Sequence, residues 1–400
     1  MILARPSRAG RRAVLCLALA LAFSLLGALL VGSASAQNPT PLAPWGGTSA
    51  ANPLAGVSFF REGPRWGLSA GQIAQWLGYA NPRAASAFGD EVSWEDFTQI
   101  IARESLLVSP ETQGKINLML KVAGQPETKR FGAFTGSGAK TEDSVRRLLQ
   151  RAERTSPGQV PQLAVYRLKH IRCGGYGDSP GDAASYRAWL SHFARGVGHH
   201  PAVIFLEQDA LITTPCLSRR GIATRMAELR YATALLGALP HAVTYLDAGA
   251  ADAVSARRTV GLLRAAGVAK VRGFFLNSTH FDWTRRELGF GDRISRALRG
   301  MHFVVNTTAN GNGPLVPRSR VRYGNEVLCN PPGRALGPRP STLTGDPRAD
   351  AFMWIGDVGR SGGQCHSGDK PTGTFDPDLA LGLAARANEQ MSARGVRLPF

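Results

Sequence analysis

The sequence predicts an α/β protein built on parallel strands, either a barrel or a doubly wound sheet. Three observations lead there. From Lys129 onward strands and helices alternate; the strand segments are short, wholly apolar runs, as in strands buried on both faces; and acidic and polar residues collect just after those runs. Ala202-Val203-Ile204-Phe205-Leu206 leading into Glu207-Gln208-Asp209 is the clearest case. In a barrel such an acid lies at the mouth, where loss of water can raise its pKa and keep it protonated as a proton donor. An acid capping the next turn is the plain alternative.

Taken in order, residues 37 to 52 are rich in Pro, Gly, Ser and Ala and read as a flexible leader, and Gly56 to Phe60 as a first strand. Two helical patches follow, Ala70 to Leu77 and, with Ser93 as N-cap, Trp94 to Arg103. Pro64 to Gly124 lacks the β-α rhythm and reads as an insertion or small subdomain. Then come strand Arg130 to Phe134 and a helix capped by Thr141, in which Val145, Leu148, Leu149 and Ala152 share one face. Strand Leu163 to Leu168 and a helix after Asp182 continue the pattern. It runs on through strand Ala202 to Leu206, helix Arg219 to Leu239, strand Val243 to Leu246, helix Ser255 to Ala266, strand Val271 to Leu276 and helix Thr284 to Leu298. Strands His302 to Val305 and Ala351 to Ile355 and a helix from Asp378 to Glu389 complete it.

The 400 residues, 44% hydrophobic, suffice for one large barrel or two ordinary domains. Arg5, Arg8, Arg11 and Arg12 precede an apolar run from Ala13 to Val31 and the small-residue pattern Ser33-Ala34-Ser35-Ala36, which reads as a signal peptide over residues 1 to 36. The body is therefore expected outside the cytoplasm, by Sec or, given Arg11-Arg12, twin-arginine export; an uncleaved anchor is the alternative. Cleavage would remove four arginines and no acid, taking the formal charge from +18 to +14. The remaining charges are scattered, without a basic run interleaved with aromatics, so no nucleic-acid partner is expected. Neither is a stable membrane contact after cleavage. Apart from Cys16 in the signal, Cys173, Cys216, Cys329 and Cys365 favour two disulfides, with three pairings open. No zinc spacing accompanies them, no glycine pattern for a nucleotide opens a helix, and no metal or cofactor is assigned. His199-His200 reads as a surface turn and His302 as a core or rim histidine. The sequons at Asn277 and Asn306 are short enough to arise by chance.

Several segments together resemble glycoside hydrolase family 6, the inverting cellobiohydrolases and endoglucanases of β-1,4-glucan. They are Ala164-Val165-Tyr166 with Cys173-Gly174-Gly175, Tyr186-Arg187-Ala188-Trp189, Leu206 to Asp209, Tyr245 to Gly249, Asn310-Gly311-Asn312-Gly313, Cys329 to Arg334 and Thr344 to Pro347. The resemblance implies a distorted, incompletely closed parallel β/α barrel of about seven strands, spanning residues 53 to 400. It also implies bridges Cys173 to Cys216 and Cys329 to Cys365, Asp209 as general acid and Asp247 as a supporting carboxylate. Substrate-binding candidates are Tyr166, Trp283, Asn277, Asn310 and Asn312, and a monomer acting on a β-glucan is expected.

This chain departs from the family pattern at the proposed base. The loop after the last Trp-containing strand places Gly356 for lysine, Arg360 for glutamate and Gly362 for the aspartate, and a glycine cannot accept a proton. Arg172 replaces an aspartate before Cys173, and Ala250, Ala253 and Leu328 replace a histidine and two tryptophans. An inverting enzyme needs a second carboxylate about 6.5 to 9.5 Å from its acid. Asp357, Asp178 and Asp182 lie in suitable loops, and Asp357, in the altered segment, is the candidate base. Two functions follow: a secreted glucanase with a relocated base, or a catalytically impaired carbohydrate-binding protein on the same barrel.

Overall fold

The computed structural model describes residues 51–79, 92–168, 183–315, 329–365 and 368–394. The signal and the leader to residue 50, Arg172, Cys173, Asp178, Asp182 and Leu328 lie outside them. The described residues fall in one compact unit, Pro41–Phe400.

The core element is a seven-stranded sheet in the order β2 (Lys129–Gly132), β4 (Gln162–Tyr166), β5 (Ala202–Leu206), β6 (Ala242–Asp247), β7 (Gly273–Leu276), β8 (His302–Asn306) and β9 (Ala349–Met353), every pair parallel. A small parallel pair, β1 (Ser58–Phe59) with β3 (Gln159–Val160), forms a second sheet. The sheet curls into an incomplete barrel with helices around it. Its edge strands β2 and β9 do not pair, but Thr128 N–H, just before β2, bonds to the carbonyl of Trp354, just after β9, at 3.1 Å.

Alternate residues of each strand enter two different cores, which is why the runs are apolar throughout. Ala164, Val203, Phe205, Val243, Tyr245, Phe275, Val304 and Ala351 fill the barrel interior with Leu54 and Phe59. Their neighbours Val165, Ile204, Leu206, Leu246, Phe274 and Phe303 face outward and pack with the helices. Those helices include α4 (Gly138–Thr155), α5 (Ala183–Val197), α6 (Arg219–Gly237), α7 (Ala256–Ala265) and α8 (Thr284–Ala297).

A buried charge network closes the N-terminal side of the interior. Arg272 donates to both oxygens of Asp350 at 2.8 and 3.1 Å, Tyr245 OH donates to Oδ2 at 2.7 Å, and His302 Nδ1 lies 2.8 Å from Oδ1. Burial alone would raise the Asp350 pKa; the contacts from His302 and then Arg272 hold it below the ordinary carboxylate value. His302 is thus a core histidine.

The described part of Pro64 to Gly124 is helical: α1 (Leu68–Trp76), α2 (Trp94–Glu104) and α3 (Pro110–Ala123) form a third apolar cluster with Trp354, Val358 and α9 (Pro377–Arg394). Helix α3 is absent from the sequence expectation, although Ser109 caps it and Pro110 occupies its first position, both start signals. Thr141 is not the cap of α4. Ser137 is, accepting from Lys140 N–H, because the chain turns at Gly136 with φ 91° and begins the helix a turn earlier. Thr141 is buried inside α4. The strand expected to reach Phe134 stops at Gly132, and residues 133–135 form a 3-10 turn.

Candidate active site

All strands of the sheet point one way, so the residues following them share one mouth. Tyr166 ends β4, Glu207 to Asp209 follow β5, Asp247 ends β6, Asn277 to His280 follow β7, Thr307 to Gly313 follow β8 and Trp354 to Gly363 follow β9.

Glu207, Asp209 and Asn277 are non-glycine residues in the left-handed region, with φ of 55°, 64° and 66°. Each costs on the order of 1–3 kcal/mol, so the surroundings must impose the conformation. They do so with named bonds. Glu207 is wholly buried and accepts from the backbone N–H groups of Arg167 and Leu168. The Asp209 carbonyl accepts from the Thr213 hydroxyl at 2.8 Å, and buried Arg225 donates to the Ala210 carbonyl at 3.0 Å. Asp209 is half-buried while its neighbours from Ala202 to Gln208 are fully buried, so it is the residue of that stretch that reaches the mouth.

Asp209 and Asp247 are brought together. Asp209 N–H donates to Asp247 Oδ2 at 2.8 Å, and Ser278 OH donates to Oδ1 at 3.1 Å. Thr279 OH donates to Asp209 Oδ1 at 2.5 Å. Consecutive residues of the β7 loop therefore hold the two carboxylates. Burial first and the Asp209 carboxylate second push the Asp247 pKa up to about 8, against the opposing bonds from Ser278 and the Asp209 and Gly249 backbone. Asp247 thus retains its proton near neutral pH. Sequence reasoning did not assign roles to Ser278 and Thr279; their contacts cross from β7 to β6 and β5, a proximity that only the sheet order supplies.

The remaining candidates fall in the same mouth with different partners. Tyr166 lies under the Arg130 guanidinium, 5.5 Å from the ring centre. Trp283 is the N-cap of α8, and its indole packs on Gly313, where any Cβ would overlap it and where φ is +66°. The Asn277 amide is buried, bonding the Asp282 and Asn306 carbonyls and accepting from Asp282 N–H. Asn310 donates to the Asp282 carbonyl and the Thr284 hydroxyl, and Asn312 to the Gly333 carbonyl. The sequon asparagine Asn306 is likewise buried, its amide donating to the Asn277 carbonyl.

Asp357 is ion-paired with Arg360. Beside it stands Glu127, unforeseen in the sequence, whose carboxyl is pushed up to about 8 by burial and then by Asp357, although Val358 N–H donates to it. At Gly362 the backbone N–H donates to Asn330 Oδ1 at 2.7 Å. Cys329 and Cys365 are bridged, with Cα atoms 6.1 Å apart, stapling this loop to the segment before it. Cys216 is also disulfide-bonded, and its expected partner Cys173 lies outside the described residues.

Residues 96–386 match the sequence profile of Glycosyl hydrolases family 6. The chain is 36% identical over 278 residues to Endoglucanase A of Thermobispora bispora, an alignment covering 67% of this chain and 56% of that protein. It is 34% identical over 270 residues to Endoglucanase A of Cellulomonas fimi, covering 68% and 56%. The chain thus spans little more than half the length of these relatives. Among solved structures it is similar to the endoglucanase Cel6 of Mycobacterium tuberculosis bound to methyl-cellobiosyl-4-deoxy-4-thio-β-D-cellobioside. The TM-score is 0.66 at 31% identity, over 84% of this chain and all of that one. On the fold alone it is also similar to a GH6 enzyme of Orpinomyces sp. Y102, TM-score 0.62 at 19% identity over 83% of this chain and 97% of that one. With its parallel, incompletely closed barrel and these relatives, the chain belongs to glycosyl hydrolases family 6.

Proposed function

We propose that the chain is a secreted glucanase that hydrolyses β-1,4-glucan-type polysaccharide with inversion, Asp209 acting as the general acid. The observation that carries this reading is the bonded Asp209–Asp247 pair at the barrel mouth, one member buried and one reaching the surface. Asp247 supports Asp209 by accepting its backbone N–H. Asp209 passes a proton to the glycosidic oxygen as the bond from C1 breaks, and a water attacks C1 from the opposite face. The water's proton goes to a base, for which Asp357 is the candidate, drawn close to Glu127 and Arg360. Tyr166 and Trp283 supply ring faces for sugar, while Asn277, Asn310 and Asn312 act through the shape of the β7 and β8 loops. The relatives named endoglucanases and the thio-cellobioside bound to the mycobacterial enzyme support a β-1,4-glucan as substrate. Among the described residues no helix is long and apolar enough to cross a membrane, and secretion rests on the reading of residues 1 to 36 as a signal.

A second reading, a carbohydrate-binding protein without turnover, is favoured by one observation. Gly362, where the family base is expected, has no side chain, and its backbone N–H is already given to Asn330. The deciding experiment is reducing-sugar release from soluble β-1,4-glucans by the mature chain, Asp209→Ala and Asp357→Ala, with NMR of the first-formed anomer. Turnover with an inverted product, lost by a factor of about 10²–10⁴ in Asp209→Ala, is expected. Undiminished turnover in that variant would sink the assignment; no release with calorimetric oligosaccharide binding would establish the binder.

A further inference from the structure

Behind the Asp209–Asp247 pair, between the β6 and β7 loops and the start of α8, lies a second acidic group that the hydrolytic reading does not use. Asp252, Asp282 and Glu287 are 4%, 0% and 0% exposed, and one carboxylate oxygen of each lies within 4.8 Å of the other two. One oxygen of each side chain is engaged. Glu287 Oε1 accepts from Ala251 N–H at 2.8 Å, and Asp282 Oδ1 from Trp283 N–H at 2.8 Å, with Arg286 3.0 Å away. Asp252 Oδ1 lies 2.9 Å from His280 Nδ1, within ion-pair distance but out of line for a hydrogen bond.

The other oxygens carry the inference. Asp282 Oδ2 and Glu287 Oε2 are inaccessible to solvent and receive no hydrogen bond from any described donor. A buried carboxylate oxygen without a partner is costly, and burial pushes both carboxyls up, Glu287 well above the ordinary value, although His280 and half-exposed Arg286 stand by the cluster. A hard divalent cation bonds oxygen at about 2.3–2.6 Å when it is Ca²⁺, so two of its ligands can stand up to about 5 Å apart. The spacing of the three oxygens fits that span, and an all-carboxylate set selects such a cation over softer metals.

We infer that Asp252, Asp282 and Glu287 form a binding site for a hard divalent cation, Ca²⁺ in the first place. The site would tie the β6 loop, through Asp252, to the start of α8, through Asp282 and Glu287. The β7 loop runs between them and carries Ser278 and Thr279, whose hydroxyls hold Asp247 and Asp209. Cation binding would thereby fix the loop that positions the carboxylate pair.

The test needs no substrate, so its outcome is separate from that of the hydrolytic reading. The full mature chain is treated with EDTA, dialysed and titrated with CaCl₂, MgCl₂ and MnCl₂ by calorimetry and thermal melting, and with Tb³⁺ excited through tryptophan, since Trp283 adjoins Asp282. Expected are saturable binding, a Ca²⁺-dependent rise in Tm reversed by chelator, and sensitised Tb³⁺ emission displaced by Ca²⁺. Asp282→Asn and Asp252→Asn should fold, as circular dichroism would verify, and lose all three responses. The inference is overturned if the wild-type chain shows no saturable binding of any of these ions at millimolar concentration. It is equally overturned if both variants keep the Ca²⁺ response, or if Glu287→Gln raises Tm in the presence of EDTA while the wild type ignores Ca²⁺, the signature of carboxyls sharing protons.

Discussion

Gly362 gives the sharpest prediction at the scale of single residues. Its φ lies outside the left-handed range, and a Cβ there would stand 3.4 Å from Asn330 Oδ1 and Cys329 Sγ, in ordinary contact. Gly362→Asp should therefore fold and return a carboxylate to the position the family pattern assigns to the base. Turnover on a soluble β-1,4-glucan should rise at least tenfold; an unchanged rate in a folded variant would mean that the base role is already filled. Asp247 predicts a pH effect. Its folded pKa of about 8 lies above the carboxylate value of an unfolded chain, so its contribution to stability is fully present below about pH 4 and lost as pH rises to about 8. Asp247→Asn should flatten the fall in Tm across that window, as differential scanning calorimetry would show. The wild-type rate should also change as pH passes 8 and Asp247, which holds the Asp209 backbone, becomes charged. Asp209 and Asp247 stood out in the sequence because each lies at the C-terminal end of an apolar strand, Asp247 as its last residue and Asp209 just past it. Ser278, Thr279 and Glu127 were not, because each acts on a carboxylate attached to a different strand.

At the scale of elements, the Cys329–Cys365 bridge, with a sequence separation of 36, staples the loops after β8 and β9. Loop-closure entropy assigns such a bridge about 3–4 kcal/mol. Cys329→Ala with Cys365→Ala should lower the urea midpoint accordingly and release the loop carrying Gly362, which limited proteolysis would detect as cleavage near that residue. Intact loop resistance in the double variant would refute this. Strand β5 was legible to the residue because Ala202–Leu206 is apolar throughout and bounded by Pro201 and Glu207. The start of α4 was misread because a buried threonine and a capping serine look alike in sequence, and the turn at Gly136 decides between them. Helix α3 escaped because its buried face, Ile116, Met119 and Val122, is narrow and interrupted by polar positions.

The whole barrel depends on charges that hydrophobic patterning does not reveal. Asp350 is a single acid inside an otherwise apolar strand, and nothing in the sequence pairs it with Arg272 or His302, 78 and 48 residues away. Asp350→Ala would remove the carboxylate that Arg272, His302 and Tyr245 share inside the barrel, at a cost of about 3–5 kcal/mol measurable by urea unfolding. Because the Asp350 pKa is lowered on folding, its contribution is present above the unfolded carboxylate value and lost as pH falls through the folded one. The wild-type barrel should thus lose stability below about pH 4, and an acid-unfolding midpoint unchanged by Asp350→Asn would contradict this. The same network, with Phe205, Tyr245 and Phe275 packed above it, has a consequence for traffic: the barrel axis is a cul-de-sac. Among the described residues no passage runs down that axis, so whatever binds at the mouth enters and leaves by the same rim.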